Sequence, residues 1–198
     1  MATDIRAVID HLVRFYSFAE KVVISVGAGG GQLIEYGREA RKVLAIDCDP
    51  QALEALEKRL RQAGLEKIFS PILCDFQACD QKADAVIFEF CLHEIPDPEK
   101  ALQHALRLAP EVVIIDHLPG SPWAFLVAEE VKAENSWRAI RRFPIRAEKS
   151  VETVQRFHDY DELYQKVKSQ GETSIQRTET YRGRRDFTVP MTYGMALL

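Results

Sequence analysis

The stretch "VVISVGAGGGQLIEYG", residues 22–37, decides the fold because an apolar run stops there at a cluster of glycines. Residues 22–26 are continuously apolar apart from Ser25, which is typical of a buried strand. Gly27, Gly29, Gly30 and Gly31 follow directly. Glycine is unfavourable inside strands and helices, so such a cluster indicates a backbone that turns sharply or lies close to a ligand. We therefore expect a strand that ends in a ligand-binding loop.

Helices and strands alternate on both sides of this loop, as apolar periodicity predicts. The helix over 49–64 has the clearest signals, with Asp49 at the N-cap, Pro50 in the first turn and Gly64 at the end. Near-continuous apolar strands joined by helices are typical of a parallel sheet covered on both faces, and hence of a doubly wound α/β fold. The expected strands are 21–27, 42–47, 68–75, 83–92 and 111–118, and the expected helices are 3–20, 32–37, 49–64 and 97–109.

The pattern changes after residue 118. Residues 123–143 and 159–169 have helical spacing, whereas 173–182 and 186–198 are predicted to be two strands joined by a turn around Gly183. No repeat or linker separates this part from the rest. We therefore expect residues 1–198 to form a single domain.

Composition narrows the classes of protein. No apolar run approaches the length needed to span a bilayer, so a cytoplasmic protein without a membrane partner is expected. The four cysteines are neither spaced like metal ligands nor dense enough for a disulfide scaffold. The formal net charge is −4, which gives no general attraction to nucleic acid. Residues 131–198 nevertheless carry 13 Lys/Arg against 9 Asp/Glu, so this segment is basic.

The spacing of the glycines bears on the ligand. A dinucleotide-binding G-x-G-x-x-G loop that begins at Gly27 would need a glycine at position 32, where this chain has Gln32. The loop instead spells G-x-G-x-G from Gly27 to Gly31. The dinucleotide pattern is therefore one residue out of step.

Four blocks in order resemble the class I S-adenosylmethionine-dependent methyltransferase family: "VVISVGAGGGQL", "VLAIDCDPQALEAL", "ILCDFQ" and "ADAVIFEFCLHEIPDPEKALQHALRLAPEVVIID". They span residues 22–116. The resemblance implies a Rossmann-like seven-stranded, mostly parallel sheet with helices on both faces and an antiparallel last strand within 187–198. It also implies S-adenosylmethionine as cofactor, S-adenosylhomocysteine as product, and three parts: an N-terminal helix or lid (1–20), a cofactor-binding core (21–118) and a substrate side (119–198).

The resemblance assigns cofactor contacts residue by residue. The loop beneath the methionine end matches Gly27, Ala28, Gly29 and Gly31. Asp47 matches the acid that binds both ribose hydroxyls, a role that suits a carboxylate because it accepts two hydrogen bonds. Asp47 could instead be a helix-entry residue, although Asp49 already takes the N-cap position.

Five further residues complete the predicted cofactor site: Ser25, Cys48, Asp75, Phe76 and Glu89. Cys48 matches a position that lines the adenosine pocket, and Asp75 with Phe76 matches the pair that meets the adenine. Glu89 matches a position near the sulfonium, although a structural ion pair would also explain a carboxylate there. The chain departs from the family at Ser25, where an Asp or Glu usually helps to anchor the methionine portion.

A general base is needed only where the methyl acceptor must lose a proton. Glu89 and His117 are the candidates, since both end predicted central strands. The residues expected to contact the substrate are Tyr16, His93, His117, His158 and Tyr160. No helical H-x-x-x-H pair or other ligand spacing is present, so no metal site is expected.

The resemblance implies methyl transfer to an acceptor, and we expect a small molecule, with a homodimer as one assembly that the sequence allows. Two alternatives stay open. An RNA methyltransferase would use the basic C-terminal segment to hold phosphates. A non-catalytic protein that only binds S-adenosylmethionine is compatible with Ser25.

Overall fold

The computed structural model describes residues 5–198. Seven strands form one sheet in the order β3-β2-β1-β4-β5-β7-β6. Strands β1 to β5 are mutually parallel where they pair, and β7 runs antiparallel to both β5 and β6. The strands are β1 Val22–Val26, β2 Lys42–Asp47, β3 Phe69–Leu73, β4 Ala85–Glu89, β5 Val112–His117, β6 Ala147–Asp159 and β7 Arg185–Leu197. The predicted fold class, including the antiparallel last strand, is confirmed.

Helices cover both faces of this sheet. The α-helices are α1 Ile5–Phe15, α2 Pro50–Ala63, α3 Pro98–Leu108, α4 Pro122–Leu126, α5 Glu130–Ile140, α6 Tyr160–Val167 and α7 Glu172–Thr178, and short 3₁₀ turns lie at Ile34–Glu39, Phe76–Ala78, Leu92–Glu94, Lys168–Gln170 and Glu179–Tyr181. Successive strand residues alternate between two buried clusters: Val23 packs with α1 and α2, whereas Ile24 packs with α3 and α5. Within residues 5–198, no helix is long and apolar enough to cross a bilayer.

Three predicted elements of the sequence analysis need correction. Residues 173–182 form α7 and a 3₁₀ turn rather than a strand, and the sixth strand is Ala147–Asp159. The predicted helix over 123–143 is two helices, because Ala128 between them has φ +59°. The segment predicted as a helix from 32 to 37 is the 3₁₀ turn Ile34–Glu39. Residues 3 and 4 of the first predicted helix lie outside the described residues.

The mistaken strand has a physical cause. Charged residues occupy many positions of β6, and only alternate side chains such as Val151, Gln155 and Phe157 are buried. The buried positions of α7 are the polar Ser174 and Thr178, so its apolar period is weak. Sequence periodicity therefore favoured the wrong segment as the partner of β7.

The carboxyl ends of the parallel strands lie at the same edge of the sheet. β1 leads into Gly27, β2 ends at Asp47, β4 at Glu89 and β5 at His117. In open α/β sheets this edge is where ligands bind.

Candidate functional site

The glycine loop makes a turn that other residues would not tolerate. Gly27 has φ +67°, and a Cβ there would lie 2.4 Å from the Cβ of Cys91. Gly29 has φ +49°, yet a Cβ there would meet nothing closer than 3.6 Å, at the carbonyl oxygen of Gly27. The loop is therefore packed tightly at its first glycine and has space around its second.

Asp47 is tied to this loop. Its Oδ2 accepts the backbone N–H of Gly29 at 2.9 Å, and its Oδ1 accepts the N–H of Asp49 at 2.9 Å. Asp49 caps α2 by accepting the N–H of Gln51 at 2.8 Å. Asp47 is thus not the capping residue, and each of its oxygens retains a lone pair for a ligand hydroxyl.

A cavity of about 580 Å³ lies beside this carboxylate. It brings together five of the residues predicted to bind the cofactor, namely Gly27, Asp47, Cys48, Asp75 and Phe76. Ile46 and Ile95 add apolar wall, and Glu94 reaches the rim. The volume lies in the range of ligand sites, and an apolar slot that includes the carboxylates of Asp47 and Asp75 fits the adenosyl part of S-adenosylmethionine.

Glu89 lies beside Ser25, on the neighbouring strand. The Ser25 hydroxyl donates to Glu89 Oε1, and the Tyr36 hydroxyl donates to the same oxygen at 2.7 Å. Burial raises the pKa of Glu89 to about 7, and the two hydroxyl donors partly offset this effect. β4 thus supplies a carboxylate next to the position on β1 where the family usually has one.

A buried carboxylate also organises the two histidines. Asp116 is fully buried and accepts His93 Nδ1 at 2.5 Å, the His93 N–H at 2.9 Å and the His117 N–H at 2.8 Å. Burial opposes protonation of His93, but Asp116, Glu129 and Glu94 outweigh it and raise its pKa to about 11. Burial lowers the pKa of His117 to about 4, so His117 is neutral at pH 7.

His117 lines a second cavity, of about 300 Å³, under α1 and α4. Phe90, which follows Glu89 with φ +50°, lines the same cavity. Two buried polar atoms of its lining, His117 Nδ1 and Gln155 Oε1, have no hydrogen-bond partner among residues 5–198. Buried polar groups are almost always paired, so these two atoms indicate a ligand or water site. Other lining residues are Ile5, Val8, Gln32, Arg59, Trp123, Lys166 and Met191.

The remaining residues that were expected to contact the substrate lie elsewhere. The Tyr16 hydroxyl donates to Glu111 at 2.5 Å, beside the amino end of β5, which is the opposite edge of the sheet. His158 is exposed and contacts Asp186 at 2.8 Å, and Tyr160 donates to Glu179 at 2.5 Å. His93 is buried behind His117, with 5.4 Å between ring centroids. Only His117 of the five lines the smaller cavity.

Sequence reasoning missed four residues that the structure brings to this edge: Tyr36, Asp116, Glu129 and Gln155. A signal existed for Asp116, since an acid interrupts the apolar strand "VVIIDH". No local pattern marks Glu129 or Gln155, because each reaches the site through the packing of the second half of the chain.

Comparisons with known proteins agree with this geometry. Residues 24–112 match a family model described as a methyltransferase domain. Residues 24–112 of the chain therefore form a methyltransferase domain. This match confirms the family resemblance of the four sequence blocks. It also confirms the predicted enzyme class and cofactor. The roles of individual residues in the methyltransferase stay predictions.

Solved structures share the fold of this methyltransferase. An S-adenosylmethionine-dependent methyltransferase from Aquifex aeolicus is 19% identical with a TM-score of 0.61, and the match covers 99% of this chain and 90% of the other. Magnesium protoporphyrin IX methyltransferase from Synechocystis, solved with bound S-adenosylmethionine, is 14% identical with a TM-score of 0.59, covering 97% and 77%.

One curated relative matches by sequence over a shorter stretch. It is the tRNA (guanine(37)-N(1))-methyltransferase Trm5b of Methanocaldococcus jannaschii, 38% identical over 66 residues. The match covers 33% of this chain and 20% of that relative. At these lengths it compares only part of the methyltransferase domain with a much longer protein.

Proposed function

We propose that the protein transfers a methyl group from S-adenosylmethionine to a small-molecule acceptor bound in the smaller cavity. The observation that carries this proposal is a shared wall between the two cavities. Phe90 lines the smaller cavity and the next residue, Cys91, lines the larger one. The proposal places the acceptor next to the cofactor, with an opening past Phe90 and Cys91 through which the methyl group is transferred.

The size and lining of the smaller cavity favour a small molecule. About 300 Å³ is the lower end of the range for small-ligand sites. Val8 of α1 and Trp123 of α4 contribute apolar surface to its wall, beside the polar side chains of Gln155 and Lys166. Lys166 and Arg59 give this cavity positive charge. No carboxylate belongs to its lining among residues 5–198.

Each polar residue has a proposed role. Asp47 holds the ribose. Glu89 replaces the acid that the family usually has at the position of Ser25, and the Glu89 carboxylate attracts the cationic end of the cofactor. The cofactor supplies a methyl group activated by its sulfonium. His117 Nδ1 and Gln155 Oε1 orient the acceptor, and positioning of this kind accounts for much of the rate enhancement in such a displacement. The neutral His117 can also accept a proton from the acceptor.

The structure offers less support for RNA. Six of the nine arginines in residues 131–198 pair with carboxylates: Arg138, Arg141, Arg142, Arg146, Arg177 and Arg182. Pairing with a carboxylate reduces the field that would attract phosphates. Arg184 and Arg185 remain as the pair on which an RNA-binding role would rest.

The test measures transfer of tritium from S-adenosylmethionine, labelled at its methyl group, to small molecules or to tRNA. The protein is incubated with the low-molecular-weight fraction of a cell extract or with bulk tRNA. We expect label in small products, with at least tenfold less from Gln155→Leu. The matched control, Gln103→Leu on the exposed face of α3, should act like the parent protein. Label in tRNA and none in small products would contradict the proposal.

A further inference from the structure

His93 has a carboxylate on each side of its ring. Nδ1 lies 2.5 Å from Asp116 Oδ1, while Nε2 lies 3.4 Å from Glu94 Oε1 and 3.4 Å from Glu129 Oε2. These residues come from three elements: the 3₁₀ turn after β4, the end of β5 and the start of α5. The fold thus gathers one imidazole nitrogen and two carboxylates on the side of the ring away from Asp116.

The spacing of these three atoms suits a metal ion. The ligand atoms of His93, Glu94 and Glu129 all lie within 4.8 Å of one another. A tetrahedral Zn²⁺ with bonds of ~2.0–2.1 Å holds its ligand atoms ~3.4 Å apart, and Zn²⁺ accepts both imidazole and carboxylate ligands. The distances from His93 Nε2 therefore need little change for a zinc ion to enter.

Asp116 provides the support that metal-binding histidines usually have. A hydrogen bond from Nδ1 to a carboxylate leaves Nε2 as the nitrogen that would bind a metal, and an ion that binds there displaces the Nε2 proton that faces Glu94 and Glu129. Asp116 is fully buried, and it also accepts the backbone N–H of His93, so both the ring and its backbone are held. The imidazole is therefore aimed at the two glutamates before any metal arrives.

One side of the cluster opens to the larger cavity, and His117 lies on its other side. His93 and Glu129 are buried, whereas Glu94 is exposed, lines the larger cavity and pairs with Lys132 at 2.6 Å. On the other side is His117, about nine-tenths buried, whose Nδ1 is unpartnered within the described part of the chain. An ion could enter from the Glu94 side and would then lie between the two cavities.

We propose that His93, Glu94 and Glu129 bind a divalent metal ion, Zn²⁺ by the chemistry of its ligands, with one coordination position left open. The sequence predicted no metal site because these ligands are not spaced regularly along the chain. Binding itself does not depend on the reaction. A role for the ion in holding an oxygen or nitrogen of the acceptor rests on the proposed function.

The test is a calorimetric titration of the chelator-treated protein with ZnCl₂. We expect one equivalent to bind with a Kd in the micromolar range or tighter. Glu94→Gln, at an exposed position that leaves the core intact, should weaken binding at least ~10-fold, and Asp116→Asn ~10-fold or more through loss of ring support. Glu134→Gln, an exposed acid one turn further along α5, is the matched control and should bind like the parent.

Co²⁺ gives a second readout, because a bound four-coordinate ion absorbs visible light. Absence of a stoichiometric site, or equal affinity in Glu94→Gln and Glu134→Gln, would overturn the proposal and leave the cluster as a buried ion pair. Failure of the metal proposal can be distinguished from failure of the proposed function. Label in small products without zinc binding removes only the metal, whereas zinc binding with label only in tRNA removes only the small-molecule acceptor.

Discussion

The two halves of this chain differ in how directly their sequence encodes their place in the site. In residues 21–118, short strands alternate with helices, and the predicted ligand residues follow strand ends. In residues 119–198, the residues that complete the smaller cavity come from α4, β6, α6 and β7, none of which carries a motif. A binding loop next to a strand can be predicted from the local sequence, whereas a pocket formed by the packing of distant segments cannot.

The largest expected effect concerns stability and compares one glycine from each half. A Cβ at Gly194 would lie 2.3 Å from Cζ2 of the buried Trp137, whereas a Cβ at Gly30 would meet nothing closer than 3.8 Å. We expect Gly194→Ala to destabilise the fold by about 3 kcal/mol through overpacking. In a chain of this size this lowers the Tm by roughly 6–12 °C.

Gly30→Ala, measured without ligand, is the control and should unfold within a degree or two of the parent protein. Calorimetry of both variants gives the difference. Equal Tm values would mean that Gly194 of β7 does not pack against Trp137 of α5.

A smaller effect is expected from pH in the first half. The pKa of Glu89 rises from 4.5 to about 7 because burial disfavours its charged form. A raised carboxyl pKa adds stability that is fully present below pH 4.5 and is lost as pH rises through about 7. Against Glu89→Gln, the parent should therefore lose about 2 kcal/mol across this window, with allowance for the partial exposure of the residue.

Urea unfolding at several pH values measures this loss, with Glu54→Gln at an exposed position of α2 as the baseline. A constant difference between the parent and Glu89→Gln from pH 4.5 to 7 would show that Glu89 is solvated.

The sequence predicted the doubly wound α/β fold class because the glycine loop and the apolar strands are local signals. It also predicted five of the residues that line the larger cavity, through the resemblance of their motifs to the methyltransferase family. It placed the sixth strand wrongly because β6 is half exposed and charged. It could not find Gln155 or Glu129, since each meets the site only after β6 and α5 pack against the sheet.

Tyr16 illustrates the same limit from the other direction. An aromatic residue at the end of the first helix was expected at the substrate, but its hydroxyl lies between Lys21 and Glu111 at the amino edge of the sheet. Periodicity gives the buried face of α1 and not the direction in which the helix crosses the strands. The residues that α1 brings to the smaller cavity are Ile5 and Val8, two to three helical turns before Tyr16.

The most direct test of the central claim is calorimetric binding of S-adenosylmethionine, S-adenosylhomocysteine and NAD to the parent protein, Asp47→Ala and Asp49→Ala. We predict that both sulfur nucleosides bind the parent and Asp49→Ala, whereas Asp47→Ala binds them at least ~100-fold more weakly, a loss of ~3 kcal/mol. NAD should not bind. Unchanged binding in Asp47→Ala, or binding of NAD alone, would contradict the assignment of this edge of the sheet as an S-adenosylmethionine site.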